Sequence, residues 1–192
     1  ILKGYSPSTG FIIEKLDPSV EYKADVRTVW SDGEINKRSE SDTREFGMRF
    51  TINSLLPTEL SLSDLSPVSG NMGPARQATL RGDKYPNSIV TMGGREVSYK
   101  IEGLFKIFSV TVGIDDNSFV PDGSEASLVF QVIGDGKLIY SGPALKKSGE
   151  PIKLNLDING VNTLTLKTLS SGGAGYGRRG LMGDWIKPLL LK

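Results

Sequence analysis

Between residues 170 and 185 the sequence sets Tyr176, Arg178, Arg179, Asp184 and Trp185 among glycines at 172, 173, 175, 177, 180 and 183. These side chains are of the two kinds that a sugar ring takes. An aromatic face stacks on the ring's C–H face, and planar polar groups bond its hydroxyls in pairs. The glycines imply a loop that is mobile or tightly turned, and such loops carry function more often than strands do. Trp185, just ahead of Ile186 and Leu189, fits a core position on a terminal strand as well as it fits a stacking platform. Asp184 could accept bonds from sugar hydroxyls or fix the loop backbone. Tyr99, in the middle of an alternating run, reads as core.

A second cluster is rich in oxygen: Asp115, Asp116 and Asn117, followed by Asp122 and Glu125. A structural Ca²⁺ takes such ligands, with Asp115, Asp116 and Asp122 as the candidates. The spacing is not that of an EF-hand loop, and turns use Asp and Asn freely. The competing reading has Asp115 capping the turn after its strand.

Composition closes off other chemistry. With no Cys and no His, the chain has no thiol nucleophile, no zinc site of the usual ligands and no histidine base. Asp and Glu are plentiful, but no spacing pairs two of them for glycoside hydrolysis. Residues 172–180 lack the Gly-Lys-Ser/Thr ending of a phosphate loop. A net charge of +1 gives no basic face for nucleic acid. No apolar run approaches the roughly 20 residues that span a bilayer. The expectation is a module with no catalytic residues and no organic cofactor. The start, Ile1-Leu2-Lys3, has no initiator Met and no signal pattern, as expected of a piece of a longer protein.

The elements that must position these residues read as β throughout. Short runs of Val, Ile, Leu, Thr and Phe are bracketed by glycines and prolines, and no 3.6-residue apolar period persists. Phe108, Val110, Val112 and Ile114 alternate, as do Leu128, Phe130 and Val132, then Ile152, Leu154, Leu156 and Ile158. Asp135-Gly136 between two such runs predicts a hairpin, because both central positions of a tight primed turn need positive φ. Leu164 and Leu166 follow a turn at Asn159-Gly160. Strands with one apolar face each make a two-sheet sandwich. Upstream, Tyr22, Ala24, Val26 and Trp30 share one face of a strand over 21–30, and residues 11–16 read as a preceding strand. The mixed charges of residues 37–47 read as a linker or a solvated edge strand.

Two family resemblances follow. Leu16, Pro18, Tyr22, Val26, Trp30 and Gly33 resemble the second half of a fibronectin type III domain, which gives residues 1–45 as a partial unit and 46–59 as a linker. Residues 60–192 resemble the NPCBM family of carbohydrate-binding modules. The carrying residues are Leu62 to Leu65, Gly82 to Tyr85, Val97 to Gly103, Phe108 to Asp116, Ser127 to Val132, Asp135 to Lys137, Leu154 to Gly160, and Asp184-Trp185.

The second resemblance implies an all-β, galactose-binding-like jelly-roll sandwich. It further implies an accessory module of a larger secreted bacterial glycoside hydrolase, at the cell surface, in the periplasm or outside. Its partners would be a galactose-containing glycan and the parent catalytic domain. It adds Asn87 and Arg95, in the family's variable segment, to the candidate sugar contacts. The chain departs from the family where many members carry histidines, within residues 87–97 and 178–184. That departure keeps a second reading open: a sandwich that has lost its sugar site and docks against another domain.

Overall fold

The computed structural model describes residues 16, 20–26, 46–51, 55, 57–70, 76–120, 124–171 and 180–192. The chain forms two units, Ile1–Pro57 and Thr58–Lys192. In the first, strand β1 (Glu21–Val26) pairs antiparallel with β2 (Phe46–Thr51), from Glu21 opposite Thr51 to Val26 opposite Phe46. Residues 46–51, expected as linker, are thus a strand. In the sequence Phe46, Met48 and Phe50 alternate with Gly47, Arg49 and Thr51, and the partner strand lies twenty residues upstream. Residues 11–15, 27–30 and most of the fibronectin-like stretch lie outside the described residues.

The second unit is a sandwich of two antiparallel sheets, as the alternation predicts. The six-stranded sheet holds β3 (Glu59–Ser61), β4 (Arg76–Leu80), β5 (Asp83–Met92), β7 (Ile107–Ile114), β10 (Ile152–Asp157) and β12 (Met182–Leu191). Its order is β10-β7-β12-β5-β4, with β3 also on β12. The four-stranded sheet runs β6 (Glu96–Lys100), β11 (Thr163–Ser171), β8 (Ser127–Gly134), β9 (Lys137–Ser141). Strands adjacent in sequence often fall in different layers: the turn at Asn159-Gly160 takes the chain from one sheet to the other, with Gly160 at φ +76°. Among the described residues no helix is long and apolar enough to cross a membrane.

Each sheet buries one face, as period-two alternation requires. Phe108, Val110, Val112 and Ile114 from β7 meet Leu128, Phe130 and Val132 from β8 and Leu164 and Leu166 from β11 in one core. Full burial of such a side chain stabilises by about 1.5–3 kcal/mol. Tyr99 joins this core, and burial pushes its phenol up to about 12. The β8–β9 hairpin closes on Asp135 (φ +48°) and Gly136 (φ +78°), the primed turn that the Asp-Gly pair predicts. The Asp135 carboxylate also accepts the N–H groups of Asn162 and Thr163, which tie the hairpin to β11 and hold the carboxyl below its ordinary value.

A smaller cluster, Ala78, Leu80 and Ile186 with Tyr85 and Val90, lies on the other face of the six-stranded sheet, where the β4–β5 hairpin covers it. Strand β12 therefore serves two cores. Gly183 and Trp185 face the sandwich interior, while Asp184 and Ile186 face the hairpin.

Candidate functional site

The chain leaves the six-stranded sheet at Met92 and enters the four-stranded one at Glu96, so residues 93–95 must turn it between layers. Gly94 takes φ +79°, and a Cβ on Gly93 would stand 2.9 Å from Ser170 Cβ. The turn is tied down on both sides. The Gly93 N–H donates to Leu181 O (3.0 Å), the Gly94 N–H to Thr168 O (2.9 Å), and the Thr168 N–H to Arg95 O (3.0 Å). The buried Thr168 hydroxyl donates to Met92 O at 2.8 Å. Ser170 and Leu181, which flank residues 172–179 on either side, both rest on this turn.

Beside it lies a shallow, largely open recess of about 420 Å³ whose lining among the described residues is Gly70, Gly94, Arg95 and Glu96. That volume lies in the range of ligand pockets, roughly 300–1,000 Å³. Gly70, at φ +100°, lets its segment press on β6: a Cβ there would come within 2.5 Å of Glu96 O. Two walls thus carry no side chain, and Arg95 and Glu96 supply the polar groups. The Glu96 carboxylate pairs with the Lys167 ammonium at 2.9 Å. Arg95 is exposed and has no ion-pair partner among the described residues. Strands β5 and β12 meet at this end of the sheet, where Met92 and Met182 are direct cross-strand partners.

Strand β12 also carries a buried acid, under the β4–β5 hairpin. Asp184 is flanked by Val90 on β5 and Gly113 on β7, and Leu80 of the covering hairpin rests on Gly113. It has no exposed surface, and neither carboxyl oxygen meets a hydrogen-bond partner among the described residues. Burial, and then the charges of Asp115 and Asp116, push its carboxyl up to about 9, so it is neutral at neutral pH. Asp115 and Asp116 are occupied with backbone. Asp115 Oδ2 accepts the Thr79 N–H (3.0 Å), and its Oδ1 accepts the Asn117 N–H (2.7 Å), the cap expected for this turn. Asp116 accepts the N–H groups of Arg81 (3.2 Å) and Gly82 (2.8 Å), strapping the β4–β5 turn. Oxygens turned onto N–H donors are poorly disposed toward a cation, and among the described residues no three acidic groups are arranged to hold one. Asp122, the third candidate ligand, lies outside the described residues.

Of the expected sugar contacts, the structure places Arg95 at the cavity. Asn87 is elsewhere: it sits in the β4–β5 irregularity with φ +56°, a backbone state that Asn tolerates, about 16 Å of strand from Met92. Trp185 is 0% exposed. Its ring meets Phe130 edge-on at 5.2 Å and its Nε1–H donates to Thr91 Oγ1 at 2.9 Å, so both its apolar and polar needs are met inside. As a stacking platform it has no face to offer, and Asp184 offers no oxygen to the surface. Both belong to the sheet interior because β12 is central in its sheet. Tyr176, Arg178 and Arg179 lie outside the described residues. Sequence reasoning missed Gly70, Glu96 and Lys167; the Gly93-Gly94 pair ahead of Arg95 was the one local signal.

Two antiparallel sheets in this order make a jelly-roll sandwich of the galactose-binding type, with an open polar recess where the chain crosses between layers. The chain belongs to the NPCBM/NEW2 domain family, whose model matches residues 54–191. The family is one of non-catalytic carbohydrate-binding modules. A protein of Renibacterium salmoninarum named as an endo-alpha-N-acetylgalactosaminidase is 25% identical over 116 residues, which are 60% of this chain and 7% of that protein's length. Among solved structures, a CBM51 module from Clostridium perfringens GH95 in complex with methyl-galactose matches with a TM-score of 0.55 and 25% identity. The match covers 69% of this chain and 99% of that one. The CBM51-2 and INT domains of Clostridium perfringens ZmpB match with a TM-score of 0.57 and 20% identity, over 93% of this chain and 39% of that one, which speaks for the fold alone.

Proposed function

We propose that the Thr58–Lys192 sandwich binds a terminal galactose-type sugar in the recess at Arg95, as an accessory module of a larger secreted glycoside hydrolase. The observation that carries this reading is the cavity walled by Gly70, Gly94, Arg95 and Glu96. It pairs a planar guanidinium with a carboxylate on a turn fixed by Thr168 and Leu181, so little ordering is needed on binding. The likeness to a module solved with methyl-galactose supports the sugar class. Calorimetry with methyl-galactose, N-acetylgalactosamine and N-acetylglucosamine tests it. Saturable binding that Arg95→Ala weakens is expected; no heat at millimolar sugar refutes it.

The second reading, a sandwich that docks against a neighbouring domain without a sugar, draws on one observation. Trp185 is buried away from the recess, so none of the described aromatic side chains lines it. The same titration separates the two, since a docking wall gives no sugar heat.

A further inference from the structure

We infer that the sugar accepted at this recess carries an anionic group, a carboxylate or a sulfate ester, on its galactose-type ring; this rests on the recess being the sugar site. The argument is one of charge. Among the described residues, the side chains that line the cavity are Arg95 and Glu96. Glu96 is already neutralised, its carboxylate 2.9 Å from the Lys167 ammonium on the neighbouring strand β11. Arg95 has no such partner among the described residues, so their share of the lining presents one uncompensated positive charge. A neutral sugar would leave that guanidinium facing hydroxyls alone. A planar anion answers it with two parallel N–H···O bonds, the geometry in which Arg exceeds Lys.

The test compares galactose, galacturonic acid and galactose-6-sulfate on the whole chain by calorimetry at low and high NaCl; the two acids separate carboxylate from sulfate. At low salt one or both acids bind about five- to tenfold more tightly than galactose, as expected of a charge-assisted pair at a partly open site. The advantage shrinks at high salt because the site is screened. The readout in variants is the ratio of acid to neutral affinity. Arg95→Gln brings that ratio to about one, Arg95→Lys retains part of it, and Glu96→Gln raises it by unpairing Lys167. Galactose bound as well as or better than both acids, or an advantage indifferent to salt and to Arg95→Gln, overturns the inference and leaves the sugar site standing. Binding of none of the three overturns both.

Discussion

Replacing Asp184 with Asn should make the protein more stable at neutral pH and should remove much of its loss of stability toward alkaline pH. In the folded state burial and the neighbouring Asp115 hold this carboxyl up to about 9, against an ordinary value of 3.8. Between those values the unfolded chain has released the proton and the folded chain still binds it. The folded state thus binds more protons, and stability falls as pH rises. The favourable contribution is fully present below pH 3.8, declines from there and is gone above about pH 9. Each pH unit in that window costs about 1.4 kcal/mol, so the loss by pH 7 is about 4 kcal/mol. Asn does not titrate. Its amide, set among Val90, Gly113 and Leu80 with the Asp115 carboxyl nearby, is imperfectly partnered and costs about 1–3 kcal/mol at every pH. Near pH 5 the two proteins should differ little, and by pH 8 Asp184→Asn should be ahead, the gap having widened by about 4 kcal/mol. Urea unfolding followed by tryptophan fluorescence at pH 5, 6.5 and 8 measures this directly. Groups remote from this cluster titrate alike in both proteins, so the difference reports Asp184 together with the neighbouring Asp115 and Asp116 to which it is coupled. A gap that stays constant with pH, or one that favours the wild type more as pH rises, would show that Asp184 is ionised in the fold and would refute the reasoning.

Three further outcomes follow from close contacts. Gly70→Ala combines a φ of +100° with a Cβ 2.5 Å from Glu96 O, so it should cost about 1–3 kcal/mol and expose the Ser98 amide, which now donates to Ser69 O, to hydrogen exchange. An unchanged melting temperature and unchanged Ser98 protection would count against that close approach. Gly183→Ala drives a methyl to 2.8 Å from Phe130 Cε1 and 3.0 Å from Thr168 Cγ2; overpacking of about 1–3 kcal/mol should appear as an earlier urea midpoint. Trp185→Phe leaves the buried Thr91 hydroxyl its bond to Gly183 O but removes the indole donor to Oγ1, and should cost about 1–3 kcal/mol, while affinity for whichever sugar binds best stays within twofold. A large loss of affinity without loss of stability would place Trp185 at the sugar after all.

The sequence by itself determined what depends on near neighbours. Alternation in residues 108–114 and 128–132 is a local property of the strand, and it marked the buried face before any partner was known. The Asp135-Gly136 turn was legible because only a few residue types accept two successive positive φ values. Asp115 was readable as a cap because its N–H partner at Asn117 is two residues away. What the tertiary structure decided depends on distant pairing. No local signal places β12 between β5 and β7, yet that position takes Asp184 and Trp185 out of the glycine-rich loop's chemistry and into the interior. The pairing of residues 46–51 with β1 joins stretches twenty residues apart. The recess joins Gly70 to Arg95 and Glu96 across twenty-five residues of chain, and Lys167 reaches Glu96 from seventy residues further on. A residue's neighbours along the chain set its backbone preference. Which charges are paired and which are left over is set by the strands the fold brings alongside.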